Sequence, residues 1–439
     1  MRRGTTESYF VGNRAFPGWA VGLSMFATSI SSVTFLAFPG AAFALDWRQV
    51  VPNLTLPIVI VLAVVFFIPF FRHGRITSAF EYLESRFGPV IRLAGAIVFL
   101  CVQFIRLGTV LYLVSLPMQI LTGVDPRIVI LVMGAIVAFY TIAGGFEAVI
   151  WIDVLQAIVL VIGAVSPLAV LIYQLPGGLE QIIEVGAAHN KFSVGEMRWD
   201  LAERTFPIMI MMGLLNWLSE YTTNQNVVQR YLAASSLREA RKASIICCLM
   251  SVPIWVFFFF VGTALYVFAQ VEPDPTIDGM VAAGQVDRIF PYFIVTRIPA
   301  GLAGLVIAGL LSATMALDSS INSVATVSVV DIIRRHLFPG RSDAWYLRAG
   351  RIMSFAAGGV MIGGAMIFAR VPKESMVDVG LTLTAILFGG GLAGVFLIGF
   401  LTTRVNYRCA VLALGISVCF EVYLVLCSLR LLPDAVSIT

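Results

Sequence analysis

Apolar runs of bilayer-spanning length recur along the whole chain, and few folds can accommodate them. A run of about 20 such residues crosses a bilayer only as a helix that satisfies its own backbone. Punctuation by Gly, Pro and charge predicts eleven helices, near 15–43, 50–71, 86–121, 127–144, 149–174, 205–229, 242–270, 295–332, 347–370, 376–403 and 409–430. Charged residues make up 12% of the 439 residues, about half the share usual in soluble domains. Mean hydropathy is +0.93. A soluble enzyme is excluded, and the chain reads as an all-α polytopic membrane protein.

Charge orients it. With the N-terminus in the cytoplasm, the inner loops collect Arg2, Arg3, Arg14, Arg72, Arg75, Arg86, Arg92, Arg230, Arg238, Arg241, Lys242, Arg334, Arg335, Arg341, Arg348, Arg351, Arg404 and Arg408, which is 18 of the 29 Lys and Arg. The outer segments hold ten, many of them in the long loops 175–204 and 271–294, where the bias rule is weak. One, Arg106, falls inside a span. The outer loop VEPDPTIDGMVAAGQVD is acidic, in agreement with this orientation. The polar start MRRGTTESYF lacks the apolar core of a cleavable signal. The six cysteines have no metal-ligand spacing and the three histidines fall in loops, so no cofactor site is expected.

One span is a poor continuous helix. Ser24–Trp47, SMFATSISSVTFLAFPGAAFALDW, carries hydroxyls at Ser24, Thr28, Ser29, Ser31, Ser32 and Thr34, followed by Pro39 and Gly40. That pair predicts a break at Pro39–Gly40. Carbonyls freed at mid-membrane, with hydroxyls beside them, suit a hard cation and a polar solute. The plain alternative is a Ser-rich helix packed on its neighbours with a proline kink. Ten helices divide as five plus five, and the sixth is again polar (Asn216, Ser219, Glu220, Thr222, Thr223, Asn224). An odd number per half inverts the second half, so 15–174 and 205–403 are expected as two repeats, with 409–430 as an extra helix.

Three further features carry chemistry. Arg106 lies in FLCVQFIRLGTVLYLVSL, far from any polar flank, where arginine is costly and needs a polar cavity or a partner. Its planar fork suits a solute carboxylate, the alternative being a fixed pair with a membrane carboxylate such as Asp153. Asp153, in GGFEAVIWIDVLQAIVLVIG, reads as an ion or proton site, or as a residue near the inner interface. In GLLSATMALDSSINSVATV (Gly309–Val327), Ser312, Thr314, Asp318, Ser319, Ser320, Asn322 and Ser323 crowd one helix. Ser312, Ser319 and Ser323 fall close to one stripe with Asp318 beside it. Such oxygens suit a hard cation, although small residues also permit close helix packing.

These segments, with YTTNQNVVQRYLAASSLREARKAS (Tyr221–Ser244), resemble the solute:sodium symporter family over nearly the whole chain. The specific features are YFVGNRAFPGWAVGLSMFATS, GGFEAVIWIDVLQ, and NQNVVQRYLAA followed by SLREA. Within the family, SSVTFLAFPGAAFALDW and RLGTVLYL look most like the bacterial sialic-acid symporters. The resemblance implies a LeuT-type five-plus-five inverted-repeat bundle with broken first and sixth helices and an extra C-terminal helix. A short helix that usually precedes the broken one has no counterpart here. It also implies Ala27 and Ile30 as backbone-carbonyl ligands of the common sodium site, with Ser312 at the preceding carbonyl position. Ser31 and Thr34 become solute ligands, Asn53 a further candidate, and Arg106 the holder of the solute carboxylate. Asp153, Asp318 and Ser319 fall where some members build a second sodium site. Gln225 lies in the polar sixth helix without an assigned contact.

One departure matters. Where the family has two adjacent hydroxyl residues, this chain has Met315 and Ala316. A thioether and a methyl do not ligate sodium. A weak common site, a one-residue slip that lets Thr314 serve, and a moved coupling site all remain open, and the cation is expected mainly at Asp153–Asp318–Ser319. The expected function is a secondary active symporter of the inner membrane, not an enzyme. A cation gradient, sodium above all, drives import of a small carboxylated solute such as sialic acid by alternating access, with no cofactor and no nucleic-acid partner. The alternatives are a sugar or monocarboxylate as solute, and proton-coupled or uncoupled transport. A sensor, a channel and a membrane enzyme are the rivals from other classes. No output domain follows the last span, and the spans contain no nucleophile–base pair.

Overall fold

The computed structural model describes residues 5–30, 32–73, 76–200, 203–312, 315–370 and 391–428. In chain order the helices are α1 (Thr6–Val11), α2 (Gly18–Ser29), α3 (Ser32–Ala44), α4 (Trp47–His73), α5 (Phe80–Phe87), α6 (Pro89–Thr122), α7 (Pro126–Gln174), α8 (Gly178–Ala188), α9 (Phe206–Thr222) and α10 (Gln225–Ala233). They continue as α11 (Leu237–Val271), α12 (Pro275–Ala282), α13 (Ile289–Arg297), α14 (Ala300–Ser312), α15 (Met315–Val327, running on as a π-helical stretch Ser328–Leu337), α16 (Asp343–Phe368), α17 (Gly391–Leu401) and α18 (Tyr407–Ser428). Among the described residues, seven helices are long and apolar enough to cross a membrane, or eight if one bent pair is a single span. Part of the expected helix 376–403 lies outside the described residues; Gly391–Leu401 is helical. Large apolar side chains such as Phe139, Leu249 and Phe355 point outward, which suits lipid contact.

The first span is broken, but not where the sequence suggested. Pro39 sits inside α3, and the chain instead leaves the helix at Ile30 (φ −99°, ψ 124°). The flanking helices meet at 52°. Two local effects account for this. Just before the break, the Thr28 and Ser29 hydroxyls donate to the carbonyls of Ser24 and Met25, at 2.8 and 2.9 Å, and so compete for the helix's own acceptors. Pro39, by contrast, is pressed against α11: a β-carbon on Gly262 would lie 2.3 Å from the Pro39 carbonyl oxygen. That close packing holds α3 helical through its proline. The end of α3 is capped by Lys191, whose Nζ donates to the carbonyls of Phe43 (2.7 Å) and Leu45 (3.1 Å).

The sixth span repeats the pattern in the opposite half. α9 ends at Thr222, and α10 starts after Asn224, whose side chain accepts from the Asn226 N–H. Arg72 caps the far end of α10, with Nη1 donating to the carbonyls of Tyr231 (3.0 Å), Leu232 (3.3 Å) and Ala234 (2.9 Å). Each broken span therefore has a second half whose terminal carbonyls are met by a cation, as the helix dipole favours. The expected helices 127–144 and 149–174 are the two arms of α7, which bends at Gly145 (φ 57°, ψ −153°). A β-carbon there would lie 2.7 Å from Cδ2 of Tyr9. All nine residues of α10 are buried. This corrects the assignment of Arg230 to an inner loop: it is 0% exposed, and its charge belongs to the interior.

Candidate functional site

The two breaks face one cavity of about 80 Å³. Thr28 and Ser29 of α2, Arg106 of α6, Trp217 and Glu220 of α9 and Val227 of α10 line it. Arg106 is half-buried and forms no hydrogen bond or ion pair with any described residue. Glu220, across the same cavity, is an opposite charge acting on it. Glu220 Oε2 accepts from Asn224 Nδ2 at 2.6 Å, which ties the carboxylate to the helix break. The Trp217 Nε1 is buried and has no hydrogen-bond partner among the described residues. The cavity thus offers an uncommitted guanidinium and an uncommitted N–H donor, a pair suited to a carboxylate and a polar acceptor on one small molecule.

Below the cavity lies a buried charged cluster. Arg230 of α10 donates from Nε to Ser24 Oγ (2.7 Å), from Nη1 to the Asn226 carbonyl (2.9 Å) and from Nη2 to Asp153 Oδ2 (2.8 Å). The same Nη2 also reaches Ser319 Oγ. Ser24 Oγ donates to Asp153 Oδ2. Asp318 accepts from Tyr140 at Oδ2 (2.8 Å) and from Ser319 at Oδ1 (3.0 Å). The arrangement joins α2, both arms of α7, α10 and α15. Arg230 and Asp153 form an ion pair with both side chains 0% exposed. The Asp153 Oδ1 has no hydrogen-bond partner among the described residues. A buried carboxylate oxygen without a partner is costly unless a proton or cation meets it. The alternative pairing of Arg106 with Asp153 is therefore overturned: Asp153 pairs with Arg230, and Arg106 is left to the cavity.

The residues implied for the common sodium site are engaged locally, each within its own helix end. The Ile30 N–H bonds back to the carbonyls of Phe26 (3.2 Å) and Ala27 (3.3 Å), so the Ala27 oxygen already has one donor. Ser312 ends α14 and donates its hydroxyl to the Ala308 carbonyl at 2.9 Å. Ala316 is buried at 2% exposure and brings no side-chain oxygen. Thr314 lies outside the described residues. Of the implied solute ligands, Thr34 is buried in α3, and Ser31 lies outside the described residues. Asn53 is half-buried in a short turn within α4 and is not among the residues lining the cavity, so it is not brought to the site. Gln225 is structural: Oε1 accepts from the Ala79 N–H (2.9 Å) and Nε2 donates to the Thr77 carbonyl (2.8 Å).

Sequence reasoning missed Arg230, Tyr140 and Trp217. A usable signal existed for the first. Asn226 and Arg230 stand one turn apart in NQNVVQRYLA, on a helix otherwise bounded by Val, Tyr and Leu, so they share one face. Tyr140 and Trp217 carry no such pattern.

The profile of the sodium:solute symporter family matches residues 9–416. A sodium/sialic acid symporter of Proteus mirabilis is 32% identical over 419 residues, covering 95% of this chain and 84% of its own. One from Aliivibrio fischeri is 30% identical over 421 residues, covering 95% and 82%. The solved structure of a substrate-bound, outward-open Na+-coupled sialic acid symporter superposes with a TM-score of 0.86 at 31% identity, over 99% of this chain and 87% of that one. A nucleobase–cation symporter matches at a TM-score of 0.57 and 16% identity, which speaks to the fold alone. The fold is the LeuT-type bundle with broken first and sixth helices, and the relatives are transporters, not enzymes. This chain belongs to the sodium:solute symporter family.

Proposed function

We propose that this chain is an inner-membrane symporter that imports sialic acid, driven by the sodium gradient. One observation carries the solute assignment: Arg106, a guanidinium at mid-membrane with no partner among the described residues, lines the cavity between the two broken helices. A sugar acid brings the carboxylate it lacks and hydroxyl or amide oxygens for Trp217 Nε1. The bacterial relatives named for sialic acid support the same solute. At about 80 Å³ the cavity holds two or three waters' worth of space and is smaller than a nine-carbon sugar acid. The solute-bound state must therefore widen it, which is what alternating access between the halves supplies.

Sodium sits mainly at Asp153, Asp318 and Ser319. These supply two carboxylates and a hydroxyl, the oxygen set a hard cation prefers. The common site contributes less, because Ala316 offers no oxygen beside Ala27, Ile30 and Ser312. Residues 15–174 and 205–403 act as the two inverted repeats, a division supported by the matched breaks and by the matched cation caps of α3 and α10. The lipid bilayer is the only other partner required.

Uptake of radiolabelled N-acetylneuraminate into proteoliposomes, with and without an inward sodium gradient, tests this reading. Sodium-driven accumulation is expected, and Asp318→Asn is expected to abolish it. Accumulation that persists in Asp318→Asn refutes the cation assignment. Transport of small monocarboxylates in place of N-acetylneuraminate refutes the solute assignment.

A further inference from the structure

The cavity and the charged cluster are stacked one helical turn apart on the same two helices. On α2, Thr28 lines the cavity while Ser24, four residues earlier, sits in the cluster; Thr28 Oγ1 donates to the Ser24 carbonyl at 2.8 Å. On α10, Val227 lines the cavity while Arg230, three residues later, sits in the cluster. Arg230 also holds the carbonyl of Asn226, beside Val227, at 2.9 Å. Any movement of the Arg230 guanidinium is therefore felt by the wall of the solute cavity.

The guanidinium stands where a sodium ion would have to bind. Its Nη2 touches Asp153 Oδ2 and Ser319 Oγ, on two of the residues assigned to the cation. The titratable groups acting on it are Asp153 from α7, Asp318 from α15 and Cys247 from α11, with Tyr140 of α7 bonded to Asp318; α2 contributes only Ser24. With both carboxylates ionised, as cation binding requires, two against one guanidinium leave one net negative charge in a cluster with no exposed member, a deficit that one monovalent cation closes. The unpartnered Asp153 Oδ1 is the oxygen available to receive it.

We propose that Arg230 is a tethered cation that competes with sodium for Asp153 and Ser319, and that its displacement carries the sodium signal to the solute cavity through α10. This rests on the sodium assignment made above. Sodium arriving at Asp153 Oδ1 and Ser319 repels Nη2, the guanidinium shifts along α10, and the Asn226–Val227 segment changes the cavity wall. In this scheme Arg230 is a positioning residue, touching neither solute nor any reacting atom. Its competition lowers sodium affinity, and its movement makes sodium and solute raise one another's affinity, reciprocally.

The test measures two quantities in purified full-length protein: 22Na+ affinity, and N-acetylneuraminate affinity with and without sodium. In Arg230→Gln the cluster gains a negative charge and loses its tethered competitor. Sodium affinity is expected to rise on the order of tenfold or more, while the sodium-dependent gain in solute affinity falls toward unity. Arg230→Lys, which keeps the charge but loses the fork, shows the same two changes in weaker form. The double variant Arg230→Gln/Asp153→Asn restores the net charge and keeps the test possible should Arg230→Gln fail to fold; it is expected to lose the sodium–solute linkage. A purely structural arginine would lower protein yield and both affinities together. Unchanged sodium affinity and unchanged linkage in Arg230→Lys and the double variant overturn the proposal. Unchanged sodium affinity in Asp318→Asn overturns the sodium assignment instead, so the two failures are distinguishable.

Discussion

Arg106 offers the sharpest test of the solute site. It shares a cavity of about 80 Å³ with Glu220. Opposite charges roughly 6 to 8 Å apart across such a space attract by roughly 2 to 3 kcal/mol at an effective dielectric constant near 20. In the proposed site a solute carboxylate has to outcompete Glu220 for the guanidinium, through a bidentate contact worth about 3 kcal/mol or more. Arg106→Ala removes that contact, which lowers solute affinity roughly 100-fold. It also leaves Glu220 facing the solute carboxylate, a repulsion that takes a further factor of about ten. Arg106→Ala/Glu220→Gln removes the repulsion and should recover that last factor. Glu220→Gln alone frees the guanidinium and should bind solute more tightly than wild type. Competition binding of N-acetylneuraminate to the four proteins in detergent, at fixed sodium, completes the double-mutant cycle. Affinity of Arg106→Ala within about threefold of wild type, or a double variant no better than Arg106→Ala, refutes the account of this cavity.

Other consequences follow from the same geometry. Ala316→Ser returns a hydroxyl at the position where the proposed common sodium site lacks one, and sodium activation of uptake should shift to severalfold lower concentration; no shift would mean that the common site is closed for reasons beyond its missing oxygens. Gly145→Ala combines a positive φ of 57° with a β-carbon 2.7 Å from Tyr9, and should destabilise the bend of α7 by about 2 kcal/mol or more, read as a lower melting temperature in detergent. Glu84, on the short helix α5 outside the spans, accepts from Arg92 Nη1 (2.6 Å) and Arg335 Nε (2.8 Å). Burial alone would raise its pKa, but the hydrogen bonds from Arg92 and Arg335 outweigh burial and hold it below the ordinary glutamate value. A depressed carboxylate stabilises the fold above its unfolded pKa and loses that effect as pH falls through the folded value. Glu84→Gln should therefore cost about 1 to 2 kcal/mol near neutral pH, and its melting temperature should converge with wild type only below about pH 4.

The far ends of the two broken spans show how the half-helices are held. Lys191 meets the carbonyls ending α3, and Arg72 those ending α10. These cations come from sequence positions far from the helices they cap. The last carbonyls of each half-helix have no intrahelical donor, and these side chains supply one.

Much of this was legible in residue order. Apolar length was enough for the membrane-spanning, all-helical class, because a bilayer demands it locally; of the eleven expected spans, seven or eight stand out among the described residues. The polar breaks, Arg106, Asp153 and Asp318 stood out for a related reason: a costly group in an apolar run needs a function or a partner, and the run itself shows the cost. What residue order could not decide was which partner. Pro39 looked like the break, yet contact with Gly262 on a helix more than two hundred residues away keeps α3 helical, and the break falls at Ile30. Arg230 looked like a loop cation, yet it closes onto Asp153, 77 positions away, and Ser319, 89 positions away. Local sequence sets what each segment must satisfy. Only the packing of five segments around one buried cluster determines that a single guanidinium pairs with one oxygen of Asp153 and leaves the other without a partner among the described residues.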